Sequence, residues 1–359
     1  MRCGVGDYTA RLVSALAAHS EVHVGVLTGV GASAWNGSNR IELFPVVRDW
    51  SLADVRRIVA ALRSWRPDVV HVQYPTQGYE GRRLPWFVPA IFRLLGWHVI
   101  QTWHEHMPMR SWRCSVPLIL TAQGIIVVRP DYRQRLARWV KWLIGSTPFE
   151  VIPNASVIPT VSLTENQRTT IRTKYLGTSS EIAGMVVFFG FAYAHKRLEL
   201  LFEMADPDRH RLVFVCELKA DDPYHAQVLK RLQSKPWLGN ASVTGFLPQE
   251  DVARILAAAD AVVLPFQRGG GTWNSSVHAA TAQGTFVLTT SHEQHGYESA
   301  DNIYFAAPND VDDMRHALNE YLGRRRSVPV SADGREWGEI AEAHLRLYQA
   351  SLGKKRCRV

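Results

Sequence analysis

Residues Asp260 to Thr290, DAVVLPFQRGGGTWNSSVHAATAQGTFVLTT, read as strand, glycine loop, helix and strand, a βαβ unit that commits this part of the chain to a parallel sheet. Ala261 to Leu264 is a short apolar run ending at Pro265, as a strand covered on both faces requires. Gly269, Gly270 and Gly271 let backbone approach a ligand without Cβ interference. Thr272, Asn274, Ser275 and Ser276 supply N-cap chemistry, and the small-residue helix that follows stops at Gly284 before the strand Phe286 to Thr290. A helix N-terminus behind a glycine loop favours an anion. An ordinary glycine-rich turn of an α/β protein has the same pattern.

Alternation continues along the chain. In the first half, strands are expected at Val22–Leu27, Ile41–Val46, Asp68–Gln73, Val99–Trp103, Ile125–Val128 and Phe149–Ile152. Helices are expected at Asp7–His19, Ser51–Trp65, Pro85–Leu95 and Asp131–Ile144. In the second half, strands fall at Met185–Phe189, Leu212–Val215, Ala241–Thr244, Ala261–Leu264 and Phe286–Thr290. The helices there are Glu165–Tyr175, Lys196–Ala205, Tyr224–Leu232, Gln249–Ala258 and Ser275–Ala282. Such order predicts two doubly wound parallel sheets, and 359 residues suffice for two cores. Pro153, Asn154 and Pro159 interrupt both periods near the boundary.

Gly4, Val5, Gly6 and Asp7 arrive with no preceding strand, although a Rossmann-like domain opens with one. The expectation is a first domain lacking its opening strand, either because the natural start lies upstream or because the sheet is short.

A net charge of +8 points to anionic partners. Cys3, Cys114, Cys216 and Cys357 have no CxxC spacing, which argues against a zinc site or a disulfide framework. No signal-peptide pattern opens the chain, and the apolar runs Leu84–Ile100 and Val116–Val128 are broken by Arg93 and by Thr121 to Gln123. A cytoplasmic protein is expected. Nucleic-acid binding would explain only the charge, and no recognition module supports it.

The segments GVGDYTARLVSAL, PDVVHVQYP, VIQTWHE, VIPNASV, FFGFAYAHKRLELLFEMA, VTGFLPQEDVARILAAADAVVLPF and WGEIAEAHLRLY, in this order, resemble the retaining GT-B glycosyltransferases of family 4. The resemblance implies two Rossmann-like domains facing across a cleft: an acceptor-side domain at 1–158, a nucleotide-sugar donor domain at 159–335, and a C-terminal helix at 336–352 packing back on the first. It implies sugar transfer from a UDP-, GDP- or TDP-sugar to an acceptor hydroxyl, in cell-surface polysaccharide or glycolipid synthesis. Retention needs no protein nucleophile, because the departing phosphate oxygen can take the acceptor proton. It also implies no metal, since a lysine and a helix dipole neutralise the diphosphate. His104, Glu105 and His106 could alternatively suggest a metal site, a reading disfavoured beside the metal-free chemistry that the resemblance implies.

A diphosphate leaving group gains charge as the glycosidic bond breaks, so positive potential must be preorganised there. Lys196, after the turn residue Gly190, stands where the family has its phosphate-binding lysine at a helix start. Phe191 replaces the family's usual arginine, leaving Arg197 or Arg268 as substitutes. Gly270 and His278 stand where the family has paired glutamates. A neutral histidine accepts only one hydrogen bond from the donor ribose, and His278 is equally readable as a packing residue. His104 corresponds to a histidine that meets the donor sugar, with Glu105 beside it in support. Gly4 and Gly6 would line the first domain's wall, and Gly245, Phe246 and Leu247 would read the base.

On helix Asp131–Ile144, Leu136, Trp139, Val140 and Leu143 fall on one side, and Arg135, Arg138, Lys141 and Trp142 on the other. This allows weak peripheral docking on anionic lipid at the inner face of the cell membrane and a saccharide or lipid-linked acceptor, or simply one packed and one solvated face. The missing glutamates also fit a degenerate GT-B subunit or scaffold that turns over no sugar nucleotide.

Overall fold

The computed structural model describes residues 4–32, 38–75, 79, 81–105, 112–176, 184–271, 273–327 and 335–353. The chain divides into two compact units, Met1–Asn154 with Gly334–Val359, and Ala155–Asp333. Among the described residues no helix is long and apolar enough to cross a membrane.

The first unit opens with α1 (Gly4–Ala17), which buries Tyr8, Leu12, Val13 and Leu16 along one face. Next come β1 (Val24–Gly29), β2 (Ile41–Val47), α2 (Leu52–Trp65), β3 (Val70–Tyr74), α3 (Leu84–Leu94), β4 (Val99–Trp103), α4 (Trp112–Thr121), β5 (Gly124–Val127), α5 (Tyr132–Arg135), α6 (Arg138–Ile144) and β6 (Phe149–Val151). All pairings are parallel, but they form two sheets, β1–β2 and β3–β4–β5–β6. Consistent with that division, β1 and β3 are only half-buried while β4 and β5 are fully buried.

The expected helix Asp131–Ile144 is two helices. Leu136 and Ala137 adopt extended ψ values of 138° and 150° and break the hydrogen-bond ladder. Leu136, Val140 and Ile144 are buried, whereas Trp139 lies with the exposed residues rather than on the apolar side. Helix α4 was not anticipated; Pro117 lies inside it, and its apolar run reads equally well as a strand.

The second unit comprises α7 (Glu165–Leu176), β7 (Gly184–Phe189), α8 (Leu201–Met204), β8 (His210–Val215), α9 (Pro223–Leu232), β9 (Ala241–Val243), α10 (Gln249–Ala258), β10 (Ala261–Leu264), α11 (Ser275–Thr281), β11 (Val287–Thr290), β12 (Gly296–Glu298), β13 (Ile303–Ala306) and α12 (Val311–Tyr321). Its seven strands run β12-β13-β11-β10-β7-β8-β9, parallel except for the edge strand β12. Val186, Val187, Phe188, Leu212, Phe214, Val262 and Val263 form the centre of one core. β12, β13 and α12 lie beyond the last expected strand. The helix expected from Lys196 to Ala205 is instead two short 3-10 turns, Ala194–Lys196 and Leu198–Leu200, followed by α8. Arg197 between them sits in the left-handed region at φ 54°.

The C-terminal helix Arg335–Leu352 belongs to the first unit, where it buries Ile340, Ala341, His344, Leu347 and Tyr348.

Candidate functional site

In the second unit the carboxyl ends of β7, β9, β10 and β11 lie on one edge of the sheet, where open α/β sheets bind ligands. Three glycines with positive φ turn the chain at that edge: Gly190 (130°), Gly245 (72°) and Gly269 (77°). Gly190 also lies against α11, because a Cβ there would stand 3.0 Å from Ser276 Oγ.

Lys196 is drawn to the same edge. Its ammonium lies 3.7 Å from the centre of the Phe266 ring, two residues past the end of β10. Gln267 N–H donates to the His195 carbonyl at 3.0 Å and ties the two loops together. Arg197 does not supply a second phosphate cation, since its guanidinium binds Glu199 and, at 2.6 Å, Asn309 Oδ1. Arg268 is exposed beside His195. Burial, with Lys196 and Arg268 nearby, pushes the His195 imidazole down to about 4 and keeps it neutral.

The glycine loop is less open to an anion than its sequence suggests. Gly269 N–H donates to Phe266 O, Gly270 N–H to Thr290 O at 2.7 Å, Asn274 N–H to Gly271 O, and Ser276 N–H to the Asn274 side chain at 3.0 Å. No protein acceptor is described for the Gly271 and Ser275 amides, so these two remain as candidate donors. Thr272 lies outside the described residues.

Both departures from paired glutamates acquire a physical reason. A Cβ on Gly270 would fall 2.5 Å from Thr289 Oγ1 and 2.9 Å from Phe266, so the loop as folded excludes any side chain there. His278 Nδ1 accepts the Ser156 N–H at 3.1 Å. In the neutral ring that contact uses the accepting nitrogen.

An aromatic ladder, missed in the sequence, stands beside Gly190 and Gly245. Phe191 stacks on Tyr193 at 5.9 Å and Tyr193 on His195 at 5.5 Å, while Phe246, 43% exposed, meets Phe191 edge-on at 6.2 Å. The alternation of rings in FAYAH was visible in the sequence, although His195 stands in the 3-10 turn Ala194–Lys196 and not on an extended segment. Leu247, after Phe246, packs against the core.

In the first unit, His104 follows β4, with its backbone N–H donating to Tyr74 O. Its Nε2 lies 2.7 Å from Gln73 Oε1 and its ring meets Tyr8 edge-on at 4.8 Å. Burial, and secondarily His344, pushes its pKa down to about 3, so the ring is neutral at physiological pH. Glu105 is exposed, and its carbonyl accepts from Tyr132. Gly4 and Gly6 lie in the first turn of α1. His106 lies outside the described residues, among which no three His, Cys, Asp or Glu side chains gather to hold a metal.

Residues 3–155 match the family model for Glycosyltransferase Family 4, and residues 183–324 that for Glycosyl transferases group 1. The chain belongs to the family 4-type glycosyltransferases of GT-B fold. No curated protein sequence matches this glycosyltransferase. Solved structures share its fold at low identity. They include sucrose-phosphate synthase from Thermosynechococcus elongatus (16% identity, TM-score 0.70, covering 98% of this chain and 90% of that one). HepE from Anabaena, in complex with UDP and glucose, matches at 14% identity and TM-score 0.66, with 98% and 93% covered. WaaG, a glycosyltransferase involved in lipopolysaccharide biosynthesis, matches at 15% and 0.60, with 97% and 94% covered.

Proposed function

We propose that this glycosyltransferase moves a sugar from a UDP-, GDP- or TDP-sugar to an acceptor hydroxyl with retention of configuration and without a metal. The observation that carries the reading is the Lys196 ammonium beside the glycine loop at the carboxyl edge of the second unit's sheet. Lys196 and the Gly271 and Ser275 amides meet the diphosphate and offset the charge that grows as the glycosidic bond breaks. Gly245, Phe246 and Leu247 read the base, and the exposed Phe246 ring supplies a stacking face.

His104, neutral, hydrogen-bonds a sugar hydroxyl, with Glu105 in support. A departing phosphate oxygen takes the acceptor proton, so no side chain need act as base. HepE is described in complex with UDP and glucose, which supports a nucleotide-sugar donor for this relative in fold. Within this reading Gly190 shapes the phosphate turn, and Asn274, Ser276 and His278 hold the loop and helix start rather than the ligand.

The acceptor is a saccharide or a lipid-linked saccharide, and the enzyme works in the cytoplasm at the inner face of the membrane. Trp142, 79% exposed beside exposed Arg138 and Lys141, supports weak docking on anionic lipid. Gly270, Phe191 and His278 favour a second reading, a GT-B subunit that binds without turnover.

A panel of UDP-, GDP- and TDP-sugars separates these. A thermal shift that Lys196→Ala removes, together with sugar transfer or donor hydrolysis, supports the enzyme. A shift with no product over long incubation supports the subunit, and no shift with any donor overturns both.

A further inference from the structure

A second set of buried polar side chains surrounds His104, and two of its members come from the C-terminal helix. His71 on β3 has Nδ1 2.6 Å from the Tyr348 hydroxyl and Nε2 2.7 Å from Thr102 Oγ1. Gln73, also on β3, has Nε2 3.4 Å from His71 Nε2 and Oε1 2.7 Å from His104 Nε2. On a second route, His344 lies one helical turn before Tyr348 and so shares its face. His344 Nδ1 is 2.7 Å from Ile340 O, and its Nε2 is 3.3 Å from the hydroxyl of Tyr8, whose ring edge abuts His104. Thr102, His344 and Tyr348 are fully buried.

Donor and acceptor rules give these contacts a direction. An amide oxygen only accepts, so His104 Nε2 carries the proton it shares with Gln73. The Gln73 amide nitrogen only donates, so His71 Nε2 accepts, and the His71 proton sits on Nδ1, donating to Tyr348. A carbonyl opposite Nδ1 of His344 places that ring's proton there and leaves Nε2 to accept from Tyr8. Burial holds His71, His104 and His344 below the ordinary histidine range, so each ring has one N–H and the tautomer decides what it can do.

We propose that Gln73, His71 and Tyr348 form a positioning relay that fixes the His104 tautomer, with Nε2 protonated and Nδ1 left as its accepting nitrogen. The C-terminal helix thereby governs which hydrogen bond His104 can offer a ligand. The inference rests on the reading that His104 serves the donor sugar. It adds three residues that touch no reacting atom, each within a segment that carries the family resemblance but none among the candidate site residues.

Long-range 15N–1H spectra of the histidine rings in the full chain report the tautomer, and steady-state sugar transfer reports its consequence. Wild type shows the His104 Nε2–H form. Gln73→Leu converts it to a mixture containing Nδ1–H and lowers kcat about tenfold, the worth of one hydrogen bond, with donor KM changed less than about threefold. Gln73→Glu keeps an acceptor opposite Nε2 and retains that tautomer. Tyr348→Phe removes one oxygen from an otherwise intact core and shifts the His71 and His104 signals in the same sense as Gln73→Leu, guarding against a variant that fails to fold. An unchanged His104 tautomer in folded Gln73→Leu, or a changed tautomer with unchanged kcat, overturns the relay. Full turnover in His104→Ala would instead overturn the assignment of His104 to the sugar, and the spectra would still decide the relay.

Discussion

The Lys196 ammonium rests on the face of the Phe266 ring, 3.7 Å from its centre, so the cation is held over an apolar surface at the mouth of the glycine loop. Such a cation–π contact contributes roughly 0.5–1 kcal/mol at an exposed site, and more when water is excluded. It helps to order the lysine at the carboxyl edge of the sheet. Phe266→Leu is expected to weaken nucleoside-diphosphate binding by about two- to fivefold through looser placement of the lysine, measured by titration calorimetry on folded protein, with a Tm lowered by a few degrees because Phe266 is buried.

Gly270 has no room for the glutamate that the family resemblance would place there. Gly270→Ala puts a Cβ against Thr289 Oγ1 and Phe266 and should destabilise by about 1–3 kcal/mol as overpacking does; Gly270→Glu should cost at least as much. Urea denaturation of the two variants measures this, and a Gly270→Glu protein as stable as wild type would mean that the loop relaxes freely.

His344 makes the first unit sensitive to acid. Its folded pKa is pushed down to about 4 by burial, against about 6.5 in the unfolded chain. Above pH 6.5 neither state binds the proton, and the stability of the neutral ring is fully present. Between pH 6.5 and about 4 only the unfolded chain binds it, so stability falls with pH by up to about 1.4 kcal/mol per unit. His344→Gln keeps an acceptor for Tyr8 but removes the titration. Its stability should therefore fall less steeply than wild type over that window in denaturant melts at several pH values.

Trp142 should report any contact with lipid. Trp142→Ala is expected to change stability by less than about 0.5 kcal/mol and to lower co-sedimentation with anionic vesicles. Arg138→Gln and Lys141→Gln should each lower it about fivefold at low salt, the equivalent of roughly 1 kcal/mol per charge. Equal sedimentation of all four proteins would leave this face as ordinary solvated surface.

The alternation of strands and helices was legible because β5, β7, β8 and β10 contain apolar runs bounded by turn residues, the pattern that a covered parallel strand imposes. Less legible were features set by tertiary contact. Nothing in the run Lys196 to Ala205 announces that Arg197 adopts φ 54° and cuts the expected helix into turns; its bonds to Glu199 and to Asn309, more than a hundred residues away, accompany that break. Leu136 and Ala137 interrupt a helical period that is intact in sequence. At the site, Gly190, Gly245 and Gly269 were readable as turns, but the internal bonds that occupy the Gly269, Gly270, Asn274 and Ser276 amides were not, since their acceptors depend on how β11 and α11 pack. The contact between His71 and Tyr348 has no local signal, since it joins positions 277 residues apart.

The most direct test is calorimetric titration of UDP, GDP and TDP into wild type and Lys196→Ala under identical salt. At least one nucleotide is expected to bind wild type, and Lys196→Ala to weaken that binding about 10- to 100-fold, the loss of one charge-assisted contact. Equal affinity in the two proteins, with both folded, would contradict a phosphate-binding role for Lys196 and with it the donor site assigned to the second unit.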